Sequence, residues 1–216
     1  MGALNFGNHQ HYLFAMTRLL PLRVLAAVVV LSFSMVLGVS AQPYTFADLA
    51  WGSSRAVVRR TLESRGYTYR APSSRDLEAT FHGRLMDEDV LVFVNYGVSD
   101  NLLKIVVSLR TSNRGGGERT RAVFEQMSEV LTGRYGAPEE VFQFCEYPYE
   151  SNKDCLGNWS TAVAVKKVHW SQFWPNRERS ALYIDITNND DVGVRYEAPG
   201  WSEELNRRRE AETSDF

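Results

Sequence analysis

Two cysteines in 216 residues are too few for a disulfide scaffold. No sign of charge is in excess: 24 basic side chains face 26 acidic ones. The net of −2 argues against a chain that holds nucleic acid by bulk charge. The phosphate-binding pattern G-x-x-x-x-G-K-[ST] is missing, as is G-x-G-x-x-G after a strand. The nucleophile elbow G-x-S-x-G is missing too. One long uncharged apolar run exists, residues 24–39, so the chain does not read as a multi-span membrane protein. What is present is ordinary for a globular protein, with 44% hydrophobic and 23% charged residues. The length suits one domain or two small ones with a core of their own.

The apolar run follows Arg18 and Arg23, and Val39-Ser40-Ala41 sets small residues before Gln42. Basic flank, apolar stretch and small-residue cut site are the parts of a secretory signal peptide, here residues 1–41. The run is somewhat short for a membrane anchor, so no span is expected after cleavage. Met16 opens a more conventional start, and residues 1–15 read as an over-long start that makes His9 and His11 irrelevant. No cysteine stands at the cut, so the lipid-anchor pattern is absent. Cleavage removes two arginines and no acid, leaving the remainder two charges more negative than −2. A periplasmic or secreted location follows, and there Cys145 and Cys155 are expected to pair.

Two helices are well punctuated. The first runs from Ser53 or Ser54, either serving as N-cap, to Gly66, with Val57, Val58, Thr61 and Leu62 on one stripe. The second covers roughly 117–135, with Val123, Phe124, Met127, Val130 and Leu131 at helical spacing, and Gly136-Ala137-Pro138 ends it. Strand patterns occupy 67–71, 77–83, 89–96, 102–110, 140–147, 160–170, 180–187 and 192–199. Within 160–170 the phase changes at Lys166-Lys167, which predicts a bulge. Asn188-Asn189-Asp190-Asp191 reads as a hairpin turn. Gly115-Gly116-Gly117 reads as a flexible connector. The expected class is α+β, as two helix-plus-antiparallel-meander halves (42–112 and 113–199) with helices on one face of the sheet. Residues 200–216 form a charged tail, a short solvated helix or disorder.

Trp51-Gly52-Ser53-Ser54 leading to Val58 and Leu62, Gly66 closing that helix, and Tyr135-Gly136-Ala137-Pro138 closing the second resemble small bacterial envelope modules. These are the SmpA/OmlA-like outer-membrane assembly proteins and the tandem β-lactamase-inhibitor-protein architecture. The resemblance spans most of 46–198 at the level of pattern. It implies a binding or assembly module, not catalysis.

The most distinctive feature is aromatic. Trp159, Trp170, Trp174 and Trp201 lie in the second half, with Tyr147, Tyr149 and Phe173. Rings with polar handles suit interfaces and shallow binding surfaces. The candidate binding set is Tyr147, Tyr149, Trp159, His169, Trp170, Phe173 and Trp174, beside the Cys145–Cys155 loop. The partner would be an envelope protein, a peptide or a glycan, and not nucleic acid. Whether the chain is an enzyme is left open, with the balance against it; no catalytic residue and no cofactor are assigned. The alternative is a secreted hydrolase using His82 or His169 with a carboxylate. His82 near Asp87, Glu88 and Asp89 suggests a metal set, and Asp185 with Asn188 to Asp191 a calcium loop. Both lie at turns that expose acids anyway, and no metal site is assigned.

Overall fold

The computed structural model describes residues 43–70, 78–111, 116–151, 155, 157–187 and 190–214. All of the described residues belong to one compact unit, Ala41–Phe216. The signal-peptide reading, Leu77, Gly115, Asn188 and Asn189 lie outside the described residues.

Among the described residues this unit is α+β: one eight-stranded antiparallel sheet with four named helices. In chain order the elements are α1 (Arg55–Ser64), β1 (Thr68–Arg70), β2 (Glu78–Leu85), β3 (Glu88–Tyr96), β4 (Leu102–Leu109), α2 (Gly117–Tyr135), β5 (Glu140–Cys145), α3 (Trp159–Ala164), β6 (Val168–Phe173), β7 (Ala181–Ile186), β8 (Val192–Glu197) and α4 (Trp201–Ser214). The spatial order is β1-β2-β3-β4-β8-β7-β6-β5. The last strand of the chain therefore pairs with β4 in the middle, and β5 is an outer edge.

Side chains alternate strictly between the two sheet faces. Phe81, Val92, Val94, Ile105, Val107, Val194, Ile184 and Trp170 point to one face and are buried. There they join Val58 and Leu62 of α1 and Val123, Phe124, Met127 and Leu131 of α2 in one core. Val57 and Val130, expected on the helical stripes, are exposed instead. The α1 stop follows from Gly66, whose φ of +86° suits glycine. The Tyr67 N–H donates to Leu62 O and the Gly66 N–H to Glu63 O, the paired bonds of a Schellman ending. At the other end Ser54 occupies the cap position without a side-chain cap bond, while Ser53 Oγ donates to Ala50 O at 2.7 Å.

Three expectations need correction. The segment expected to be a strand with a bulge over 160–170 is α3 followed by a turn, and strand begins only at Val168. Trp159, Ala162 and Val163 are spaced i, i+3, i+4 and all are buried, so helical packing outweighs the alternation of Val163 and Val165. The glycine run is not merely a connector either. Gly116 caps α2 at φ +65°, and Gly117 is buried where α2 meets α3. A Cβ on Gly117 would stand 2.5 Å from Ser160 Cα. Last, the tail is an anchored helix. Trp201 packs with Leu103 and Ala198, and the buried Glu204 pairs with Arg207 and Arg208. Among the described residues, no helix is long and apolar enough to cross a membrane.

Candidate functional site

The face of the sheet opposite the core carries the even-numbered residues of β5 and the odd-numbered residues of β6 to β8. The register sets three of them side by side, and a fourth, Phe142, reaches the last of these diagonally. Arg195 on β8 pairs with Tyr183 on β7, and Tyr183 with Phe173 on β6. The Arg195 guanidinium sits 5.1 Å from the Tyr183 ring centre. Tyr183 stacks on Phe173 at 5.3 Å and 17°. Phe173 meets Phe142 of β5 edge to face at 5.8 Å. Beside this row Phe144 stacks on His169 at 4.7 Å. The row runs outward from the middle of the sheet, and Phe142 and Phe144 at its end are about half exposed, at 47% and 51%.

Charge is arranged around the rings. Arg195 is ion-paired with Asp185, and Lys104 with Glu197 at 2.7 Å. Tyr183 is held in its neutral form: burial pushes its hydroxyl up to about 12, with Glu197 and Asp185 adding to the effect and Arg195 opposing it. At the far corner Glu146 accepts from Lys167 Nζ at 2.8 Å and lies 2.7 Å from His169 Nε2. Lys167 first, then His169, hold the Glu146 carboxyl below its ordinary range.

The seven candidate residues divide by position. Trp159, Trp170 and Trp174 lie in the interior and do not offer a ring to a partner. Trp159 Nε1 donates to Gly117 O at 3.0 Å and Trp174 Nε1 to Gly136 O at 2.7 Å, so both indole N–H groups are satisfied inside. Trp170 lies between Phe124, at 4.2 Å, and Trp159, at 5.3 Å. A core that buries large rings against two helices explains all three. Tyr149 is half-buried against the same core. Tyr147 is 76% exposed, and His169 and Phe173 face outward. The Cys145–Cys155 disulfide is formed, with Cα atoms 5.7 Å apart, and ties the end of β5 to Cys155 ahead of α3.

Sequence reasoning missed Phe142, Phe144, Tyr183 and Arg195. The alternation in EVFQFC, ALYIDI and VGVRYE marked them as strand residues facing one way. Nothing in the sequence set those strands side by side. The two histidines offered for hydrolysis sit on the open face, His169 against Glu146 and His82 3.4 Å from Arg70. Of the acids near His82, Glu88 is buried and paired with Arg119, so it faces away from the other two. A depression of about 740 Å³ near His82 is lined by Arg65, Arg84 and Arg110. These guanidiniums are already committed: Arg65 to Asp48 at 2.6 Å, Arg110 to Asp191 at 3.1 Å, and Arg84 to Asp87 O at 2.9 Å.

Fold and surface together define an α+β protein with an aromatic row on an open sheet face. Comparison with protein-family models finds no match, and comparison with curated proteins finds none. Among solved structures, a DUF4309 family protein (YjgB) from Bacillus subtilis is similar at 14% identity. The match covers 68% of this chain and 78% of that one with a TM-score of 0.36, too slight to carry an argument about fold or function.

Proposed function

We propose that the protein is an exported binding or assembly module of the cell envelope, built as two helix-and-meander halves joined along β4 and β8. The observation that carries the binding reading is the row Arg195, Tyr183, Phe173 and Phe142, which opens to solvent at the sheet edge. Rigid rings held in register by strands offer contact area with little rotamer entropy left to lose. The paired charges beside them supply a polar rim. Export is supported by the leader-like segment ahead of Gln42 and by the disulfide, which an oxidising compartment would preserve. The partner is an envelope protein, a peptide or a glycan.

Capture from envelope extract tests the site. Phe173→Ser and Tyr183→Ser should each lower recovery of a captured partner by about tenfold, the loss expected when a central aromatic anchor goes. Circular dichroism should not change. Equal recovery by the wild type and both variants removes this face as the site. N-terminal mass analysis of the exported protein tests the leader, since a chain beginning before Gln42 would contradict cleavage at Ala41.

A further inference from the structure

The sheet has two edges, and they are finished differently. The β1 edge is three residues long and ends in Arg70, the short charged form that discourages pairing. The β5 edge is six residues long, EVFQFC, with no lysine, arginine or proline within it. Val141, Phe142 and Phe144 there are 54%, 47% and 51% exposed. An edge of that kind is a template for another strand.

The backbone states which groups are on offer. The Glu146 N–H donates to Lys167 O at 2.8 Å, and Phe144 and Phe142 stand opposite His169 and Ser171. The alternation of an antiparallel ladder turns the N–H and C=O of Phe142 and Phe144 toward β6. Those of Val141, Gln143 and Cys145 turn away from it, to the open side.

We propose that this edge pairs with β5 of a second copy, antiparallel about a two-fold axis at Gln143, making one sheet continuous across both protomers. In that register Gln143 exchanges bonds with its own copy, and Val141 with the partner copy's Cys145. Phe142 then falls opposite the partner copy's Phe144, and Phe144 opposite its Phe142. These are the non-hydrogen-bonded positions, where cross-strand side chains come closest. The aromatic row of each protomer thus runs on into that of the other. The same register sets Glu140, exposed on the outer face, opposite Glu146 of the other copy, whose carboxylate already has Lys167 and His169 as partners. Like charges directly opposite oppose pairing, so this corner limits the strength of the dimer and the rings at its centre hold it. A two-fold contact of this kind closes on itself and stops at two copies.

This pairing is independent of the envelope-binding reading, because it rests on backbone groups of β5 and is read out as molecular mass. Sedimentation equilibrium is run on protein purified from cells expressing the full-length sequence. A dimer is expected at concentrations of about 10 micromolar and above, in the range of a modest interface. Gln143→Pro removes only an outward-facing N–H, so it should raise the dissociation constant about tenfold or more without altering the circular dichroism, as proline is tolerated at such edge positions. Glu140→Lys replaces the acid opposite Glu146 of the other copy by a base and should tighten the dimer several-fold while leaving β5 intact. Tyr183→Ser should leave the dimer unchanged whatever it does to partner capture. A wild type that stays monomeric up to about 100 micromolar overturns the proposal. So does a dimer that survives Gln143→Pro, or one that Glu140→Lys weakens.

Discussion

Gly117 and Trp159 form a single joint. The glycine lets α2 approach α3 closely, and its carbonyl accepts the indole N–H of the tryptophan that fills the gap. Gly117→Ala puts a methyl group against the Ser160 backbone, which is not the movable end of a side chain. The expected loss is about 1–3 kcal/mol, the range for overpacking, measured by urea unfolding. Trp159→Ala removes the ring and leaves a cavity, for about 3–5 kcal/mol by the same measurement. Tyr183 makes a prediction about pH. Its folded pKa of about 12 lies above the ordinary 10.0, so the folded state holds the proton more tightly. Its contribution to stability is complete below pH 10 and is lost as pH rises toward 12. Tyr96 and Tyr196 are raised in the same direction by burial. The share of the tyrosinate absorbance that belongs to these three rings should therefore appear in a cooperative step that coincides with unfolding, after that of exposed rings such as Tyr147. An absorbance that reaches its full value with the fold intact would contradict the raised values of these three.

Among the elements, α3 and β5 depend on the Cys145–Cys155 link, which fixes the end of the strand to the chain entering the helix. Replacing both cysteines by serine should cost about 2–3 kcal/mol, as expected for a closed loop of that size, with the loss read from thermal or urea unfolding. Its separation of 10 residues places the effect locally, so amide exchange should quicken in β5 and α3 before it does in β3 or β4. α3 also shows where local pattern misleads. Val163, Val165 and Val168 are β-branched, and a short apolar run does not separate strand from buried helix. The decision is made by α2, whose glycine receives Trp159, and that contact spans 42 positions in sequence. Where period and punctuation were strong, as in α1, α2 and most strands, the elements were legible. The aromatic row was legible only residue by residue: Phe173 was picked out, but Phe142, Tyr183 and Arg195 become its neighbours only through the pairing of β5 to β8. The tryptophans were selected for their size, and that same size gives burial the larger gain.

At the level of the whole molecule, β4 and β8 are the seam of the sheet, pairing Lys104 with Glu197 and Leu109 with Val192. Strands on both sides protect them, so their amides should exchange only through global unfolding, while those of β1 exchange first. Hydrogen exchange in which β8 opens before β1 would contradict the central position of the seam. The pairing also joins residues about 90 positions apart, which places folding among the slower, non-local topologies.

The seam has a consequence for how the chain is made. A ribosome that has released everything through β7 has still not supplied the strand that covers the inner edge of β4. Until β8 emerges, Leu109, Val107 and Ile105 have one strand neighbour instead of two. A chain that stops short of Val192 therefore ends with an open edge in its most apolar region and should collect in the insoluble fraction. One that ends just after α4 should not. On the proposed export route the same order means that the sheet cannot close until nearly all of the chain has been delivered.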